Sequence, residues 1–344
     1  MKRKFIISSF LALILALNFN LITVKSRTNT ETKRFAVLFY DESDAYISLL
    51  KEALEEVQRL NSGRVQFIYY DAVNNQGRQN EQLEEVIRDK VDGILINIVD
   101  FYSGGNLVNR AKENNIPIIF FNREPRSLDA IKSYGKAIYI GTSGCQSGHM
   151  QGEMIINQIQ NNLILDKNQN NQLDYVLLKG PRGDIEAVDR SRCVIEKINN
   201  SGIRTNELYS EFMNWDREIV KERLTPVLPR IINDLDAIIS NNDEMALGAI
   251  EALQAYGYNL GDGRNYIPVF GIDGIPEALT LIEEGKMEGT VVQDAKSMAE
   301  AMFLTAMNFA EGKKPLDGTN FEFDESGVAL RIPYPQYIVR TKSQ

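Results

Sequence analysis

Histidine and cysteine are almost missing from this chain. Its 344 residues hold one histidine, His149, and two cysteines, Cys145 and Cys193. A Ser-His-Asp or Cys-His mechanism would have to run through His149 alone. Three such residues do not build a four-ligand Cys/His zinc site. His149 is expected at a helix surface or cap. A phosphate-cradling G-x-x-x-x-G-K-[ST] loop is absent, as is a G-x-G-x-x-G turn after the first strand-like run. No G-x-S-x-G nucleophile elbow occurs. There is no basic surplus: 38 Lys and Arg face 47 Asp and Glu, a net charge of -9. Such a chain is a poor non-specific binder of nucleic acid or anionic membrane, and no nucleic-acid partner is expected. Linkers rich in Pro, Gly or Ser and low-complexity segments are also lacking. What remains is 43% apolar and 25% charged, an ordinary globular composition. The length suits about two domains of roughly 150 residues each.

The longest apolar run is N-terminal. Lys2, Arg3 and Lys4 precede FIISSFLALILAL, the charged n-region and apolar h-region of an export signal. No small-x-small cleavage triplet stands out after it. Residues 1–26 therefore read as a cleaved signal peptide or as a retained membrane anchor, the apolar stretch being marginal for a span. Either way the body of the chain is expected outside the cytoplasm, periplasmic or at the cell surface, and four charges more negative once Lys2, Arg3, Lys4 and Lys25 are removed. No cysteine lies near the end of the run, which excludes a lipid-modified N-terminal cysteine. Cys145 and Cys193 stand 48 positions apart on two different expected helices. Two buried thiols are the expectation, with a disulfide as the alternative.

From Phe35 onward short apolar strands alternate with helical periods. FAVLFY, VQFIYY, GILINIV and IPIIFFN are near-continuous apolar runs, and between the first two Ile47, Leu50, Leu54 and Val57 share one helix face. The cycle restarts near Ile138–Thr142: a helix from Gly148 to Asn161, YVLLK, a strand near Leu208, a helix from Trp215, DAIIS, IPVFGI, a short helix from Pro276 and a long one from Asp294 to Glu311. This pattern predicts an α/β fold of two units, each a parallel sheet flanked by helices on both faces.

In open α/β sheets ligands bind outside the carboxyl ends of the strands. Here those ends run into Asp41 and Asp44, Asn97, Asn122, Asn241 to Asp243, and Asp273. Any one of them is explained as a helix N-cap. Five strand ends with Asp or Asn point to a polar cleft that reads hydroxyl groups. Tyr46 and Trp215, the only tryptophan, sit at loop-to-helix junctions, where a ring can lie on the C–H face of a sugar.

The segments LINIVD, IPIIFFNREP, VLLKG, ISNNDEMALGAIEAL, IPVFGIDGIPEAL and GTVVQDA carry a resemblance to the periplasmic galactose/glucose-binding proteins of bacterial sugar transport and chemotaxis. It covers nearly everything from Arg34 to about Tyr337. It implies a type I periplasmic-binding fold, in which two lobes joined by a three-strand hinge close on one monosaccharide. The lobes would be residues 33–141 plus 294–331 and residues 142–293 plus 332–344. The resemblance places Asp44, Tyr46, Asn97, Arg190, Trp215, Asn242 and Asp273 on the sugar. Three positions depart from the family: its His is Asp184, its Asp is Glu186, and its Asn before the last hinge strand is Gln293. An ionised Asp184 accepts but does not donate, and Glu186 and Gln293 each add a methylene, so the identity of the sugar is open.

Asp166, Asn168, Asn170, Gln172 and Asp174 offer oxygens at alternate positions, as in the first nine places of an EF-hand loop, with Gln172 giving its backbone carbonyl. Asn171 replaces the usual glycine at the sixth place, and Leu177 at the twelfth cannot ligate. The resemblance supplies the last ligand, Asp236. A structural calcium ion is expected there. Together these readings describe a non-enzymatic, monomeric receptor that captures a galactose- or glucose-like monosaccharide and delivers it to an ABC transporter permease. The alternative is a membrane-associated sugar sensor, with a pentose such as xylose among its candidate ligands, that signals to a histidine kinase or chemoreceptor.

Overall fold

The computed structural model describes residues 31–161, 164 and 166–340; the segment 1–26, read above as a signal peptide or anchor, lies outside them. Among the described residues no helix is long and apolar enough to cross a membrane. The chain begins with β1 (Lys33–Phe39), α1 (Ala45–Leu60), β2 (Val65–Asp71), α2 (Gln76–Arg88), β3 (Gly93–Ile96), α3 (Gly104–Glu113), β4 (Ile118–Phe121), α4 (Asp129–Lys132) and β5 (Ala137–Gly141). It continues with α5 (Gly144–Gln160), β6 (Leu173–Lys179), α6 (Ile185–Asn200), β7 (Thr205–Phe212), α7 (Arg217–Leu224), α8 (Leu228–Ile231) and β8 (Ala237–Ser240). Then come α9 (Asp243–Gln254), β9 (Val269–Asp273), α10 (Pro276–Glu283), β10 (Gly289–Val292), α11 (Ala295–Ala310), β11 (Ala329–Arg331) and β12 (Gln336–Val339).

Two six-stranded sheets result, ordered β2-β1-β3-β4-β5-β11 and β7-β6-β8-β9-β10-β12. Every pairing is parallel except β12 on β10. The central strands of each sheet are apolar on both faces. In the first, Phe35, Val37 and Phe39 of β1 pack under α1 and α11, while Ala36 and Leu38 pack toward α2 and α3. Two covered faces leave no place for polar alternation, which is why these strands read as unbroken apolar runs. The chain passes between the sheets three times, at residues 142–143, 293–294 and 332–335. The third pass sends the last strand back to the second sheet.

Helix α5 begins at Gly144, capped by Ser143, whose side chain accepts from the Gln146 amide. That is one turn earlier than the sequence suggests, and it places exposed His149 inside the helix. Gly144, Gly148 and Gly152 lower intrinsic helix propensity, but they let α5 press on α6. A Cβ on Gly144 or Gly148 would lie 2.8 Å from the carbonyl oxygen of Glu186 or Arg190. At this approach Cys145 and Cys193 have Cα atoms 5.1 Å apart and are joined as a disulfide, in place of the two separate thiols expected.

Candidate functional site

Both sheets aim their carboxyl-terminal strand ends at one cleft with about 430 Å³ of atom-free space. From the first lobe it is lined by Tyr40, Asp44, Tyr46, Asn122 and Arg123. Asp44 caps α1, its Oδ1 accepting from the Ile47 amide at 3.0 Å, while Oδ2 takes the Tyr40 hydroxyl at 2.5 Å. The cap and the cleft wall are the same side chain. Tyr46 is buried in the first turn of α1 with its hydroxyl 3.7 Å from Met298 Sδ. Asn97, expected on the sugar, is fully buried and stands behind the lining. Its Nδ2 donates to the Phe121 carbonyl at 3.1 Å and to Asn122 Oδ1 at 3.0 Å. That contact fixes the Asn122 amide with its oxygen inward. Asn122 itself holds a left-handed φ of 56° at the end of β4.

Tyr40, Asn122 and Arg123 were not among the expected contacts. The strand-end rule does point to Asn122. Nothing local marks Arg123, because its role comes from elements distant in sequence. Its guanidinium lies between the Tyr40 and Phe101 rings, 4.2 and 4.3 Å from their centroids. Nε donates to the Ile98 carbonyl at 2.7 Å and Nη2 to that of Val99 at 3.1 Å. The group is thus immobilised with donor capacity left for the cleft.

The second lobe contributes Asp184, Glu186, Arg190, Trp215, Asn242, Asp273 and Gln293. Asp184 caps α6 by accepting from the Glu186 and Ala187 amides through Oδ1 alone. Asn242 caps α9 through the Met245 amide. Trp215, with φ 68°, lies flat against Gly180, where an added Cβ would come within 2.3 Å of the indole. Asp273 holds φ 133°, a conformation side chains rarely adopt. Asp243 supports the strained turn, accepting from the Gly274 and Ile275 amides and from Thr290 Oγ1.

Burial pushes the Asp273 carboxyl well up from its ordinary range against the pull of Arg190, and Asp243 and Asp44 add to the rise. Asp184 is raised by burial too, opposed by Arg123 from the opposite lobe. Burial also acts on Glu186, but Arg190, Thr142 and Tyr334 outweigh it and hold its carboxyl below the usual range. Across the cleft, then, Asp44 repels Asp273 while Arg123 attracts Asp184. Arg190 is 4% exposed and its Nε has no hydrogen-bond partner.

The expected metal loop lies at the other end of β6, about 20 Å from the cleft at ~3.3 Å per strand residue. Asp166 accepts from the Asn170 and Asn171 amides, and Asp174 from the Asn168 and Asn170 side chains. Asp236 accepts from the Lys167 and Asp174 amides. Burial raises the Asp236 carboxyl, and Asp174 and Asp166 raise it further. Asn171 takes φ 63° at the sixth place. The loop is rich in the oxygen donors a hard divalent cation takes, but among the described residues the carboxylate oxygens of Asp166, Asp174 and Asp236 do not all lie within 4.8 Å of one another. Two groups that share Cys193, one with Cys145 and Asp189 and one with His149 and Glu196, gather on α5 and α6. Their sulfurs are bonded to each other, and Arg192 pairs with both carboxylates.

The cleft wall contains carboxylates, amides, guanidiniums and three aromatic rings, and no aliphatic side chain. It offers polar partners to hydroxyls and flat faces to C–H groups, and it holds no nucleophile–base pair. Residues 35–314 match a family described as periplasmic binding protein domain. The D-galactose/methyl-galactoside binding periplasmic protein MglB of Haemophilus influenzae is 37% identical over 302 residues, 88% of each chain. A putative rhizopine-binding protein of Rhizobium meliloti is 26% identical over 293 residues, 85% of this chain and 88% of its own. An ABC transporter solute binding protein of Bacillus halodurans, crystallised with myo-inositol, superposes with a TM-score of 0.72 at 28% identity, covering 91% of this chain and 96% of that one. These relatives are solute-binding proteins, not enzymes. By sequence and by its two-lobed α/β fold, this chain belongs to the periplasmic binding protein domain family.

Proposed function

We propose that the protein captures a neutral monosaccharide of the galactose or glucose type outside the cytoplasm and hands it to an ABC transporter. The observation that carries this is the cleft wall: four carboxylates and two guanidiniums, three amides and three rings, drawn from both lobes. Sugar hydroxyls donate to Asp44, Asp184 and Asp273 and accept from Arg123, Arg190 and Asn242, while Trp215 and Tyr46 cover C–H faces. Hydroxyls between Asp44 and Asp273 replace a repulsion across the lobes with two hydrogen bonds. Ligand therefore favours the closed arrangement by differential contact, a population shift. The name of the Haemophilus relative supports the hexose; the inositol-bound structure supports a cyclic polyol in this fold.

Trp215 is the sole tryptophan, so its fluorescence reports on the cleft. Titration with D-galactose, D-glucose, D-xylose, L-arabinose and D-ribose is expected to give a saturable response to a hexose. A response to a pentose alone would replace the hexose, and silence across the panel, matched by calorimetry, would remove the reading.

We also propose that Asp166, Asp174 and Asp236, with oxygens from Asn168, Asn170 and Gln172, hold a structural calcium ion. The ion would supply positive charge that pins the loop to β6. Chelation should lower the melting temperature by several degrees and leave sugar affinity unchanged. Identical melting curves would count against the site.

A further inference from the structure

Tyr334 belongs to the third crossing, is 4% exposed, and is not among the cleft-lining side chains. Its hydroxyl stands 2.8 Å from Glu186 Oε1, 3.0 Å from Thr142 Oγ1 and 3.4 Å from Gln293 Oε1, and it receives Arg190 Nη2 at 3.0 Å. The single hydroxyl proton goes to Glu186, the nearest acceptor and the ionised one. Glu186 Oε1 also takes Thr142 Oγ1 at 2.5 Å and Arg190 Nη2 at 2.9 Å. Arg190 Nη2 further reaches Gln293 Oε1 at 2.8 Å. Thr142 lies in the first crossing, Gln293 in the second and Tyr334 in the third. All three meet on the Glu186–Arg190 pair of α6.

This arrangement also explains the extra methylene of Glu186. Its Oε1 is directed at the crossings, with Thr142 and Tyr334 as partners, and is saturated there. The other arm of Arg190 donates to the Asn241 carbonyl at 2.7 Å and lies 3.6 Å from Asp273, so the unpartnered Nε is aimed by the groups that hold the two Nη atoms.

We propose that Tyr334 is a positioning residue for capture: it links the orientation of Arg190 to the backbone torsions of all three crossings, so that lobe closure and the seating of Arg190 are one event. The proposal rests on the cleft being the sugar site, but part of its test does not. Tyr334→Phe keeps the buried ring and removes the hydroxyl; Thr142→Val removes the neighbouring donor.

Small-angle X-ray scattering of the ligand-free protein gives the open-to-closed balance, stopped-flow Trp215 fluorescence gives sugar dissociation, and thermal melting reports the fold. Tyr334→Phe should enlarge the radius of gyration of the ligand-free form. It should also weaken sugar binding about tenfold through faster dissociation, the usual weight of a hydrogen bond to a charged group, at a melting temperature near wild type. Thr142→Val should shift both quantities the same way and less. An unchanged radius overturns the proposal, whether affinity is kept or falls together with the melting temperature, since the latter is a packing defect. If the wild type answers no sugar, the functional reading fails while the ligand-free scattering comparison still decides the coupling.

Discussion

Asp184 shows how one side chain serves structure and site together. Oδ1 is occupied as the cap of α6, and the carboxyl, raised by burial, is steadied by Arg123 from the other lobe. Arg123→Met should weaken sugar binding by roughly 10- to 100-fold, the range for charged hydrogen bonds of about 1.5–3 kcal/mol. It should also make affinity fall more steeply from pH 7 to 5, because Asp184 then protonates more readily. Titration calorimetry at both pH values checks this, and a uniform loss would assign Arg123 to packing alone. Gly180→Ala is a second case. The new methyl meets the indole of Trp215, so the variant should fold, shift its emission to longer wavelength and lose affinity. Asp44, Asn122, Asn242 and Asp273 were legible because caps and ligand-facing acids use the same residue types at strand ends, while Asp184, Glu186, Arg190 and Gln293 were reached only through the resemblance. Arg123 was reached by neither, since its clamp is built from carbonyls of residues 98 and 99 and from rings at 40 and 101, none of which a local pattern connects.

Helices α5 and α6 illustrate where helix patterns fail. Glycines at every fourth position of α5 look like a delayed helix start, yet they are what allows backbone contact with α6 and brings Cys145 to Cys193. The central strands of both sheets were easier to read, because burial on two faces leaves an unbroken apolar signature, which the half-exposed edge strand TNELYSEF lacks. Replacing both cysteines by alanine should lower stability by about 2–4 kcal/mol, the typical worth of a disulfide. The loss is measured by denaturant unfolding. Because α6 also carries Asp184, Glu186 and Arg190, sugar affinity in the double variant reports whether the covalent tie steadies the site. The glycine contacts remain in that variant, so a change of less than about threefold, well under 1.4 kcal/mol, is expected.

At the scale of the whole molecule, acid should separate folding from binding. The carboxyl of Asp243 is pushed up to about 6 by burial, and that of Asp273 is raised also. Groups raised in the folded state take protons there before they do in the unfolded chain. Ligand-free stability should therefore rise as pH falls from 7 toward 5. Glu186 is lowered, and its contribution is lost only below that window. Sugar affinity should fall over the same interval as Asp273 ceases to be a pure acceptor. Melting curves with and without sugar should converge on acidification; a constant separation would show that Asp273 stays outside the contact. The cleft sets four carboxylates against two guanidiniums, so uronic acids should bind at least tenfold more weakly than their parent hexoses, a difference of about 1.4 kcal/mol.

Strands β11 and β12 lie within residues 329–339, yet each closes the edge of a different sheet. Helix α11, which covers β1, is also made late. A chain growing from its N-terminus therefore cannot cover the α1 face of its first sheet until α11 has been made, whereas the cluster between Val176 and Met287 in the second lobe takes no buried residue from later in the chain. The first 292 residues alone would leave Phe35, Phe39 and Leu95 without their α11 cover. The first lobe therefore has every strand but β11 long before it is complete in its core, and truncation after residue 292 should leave that lobe, more than the other, open to proteolysis.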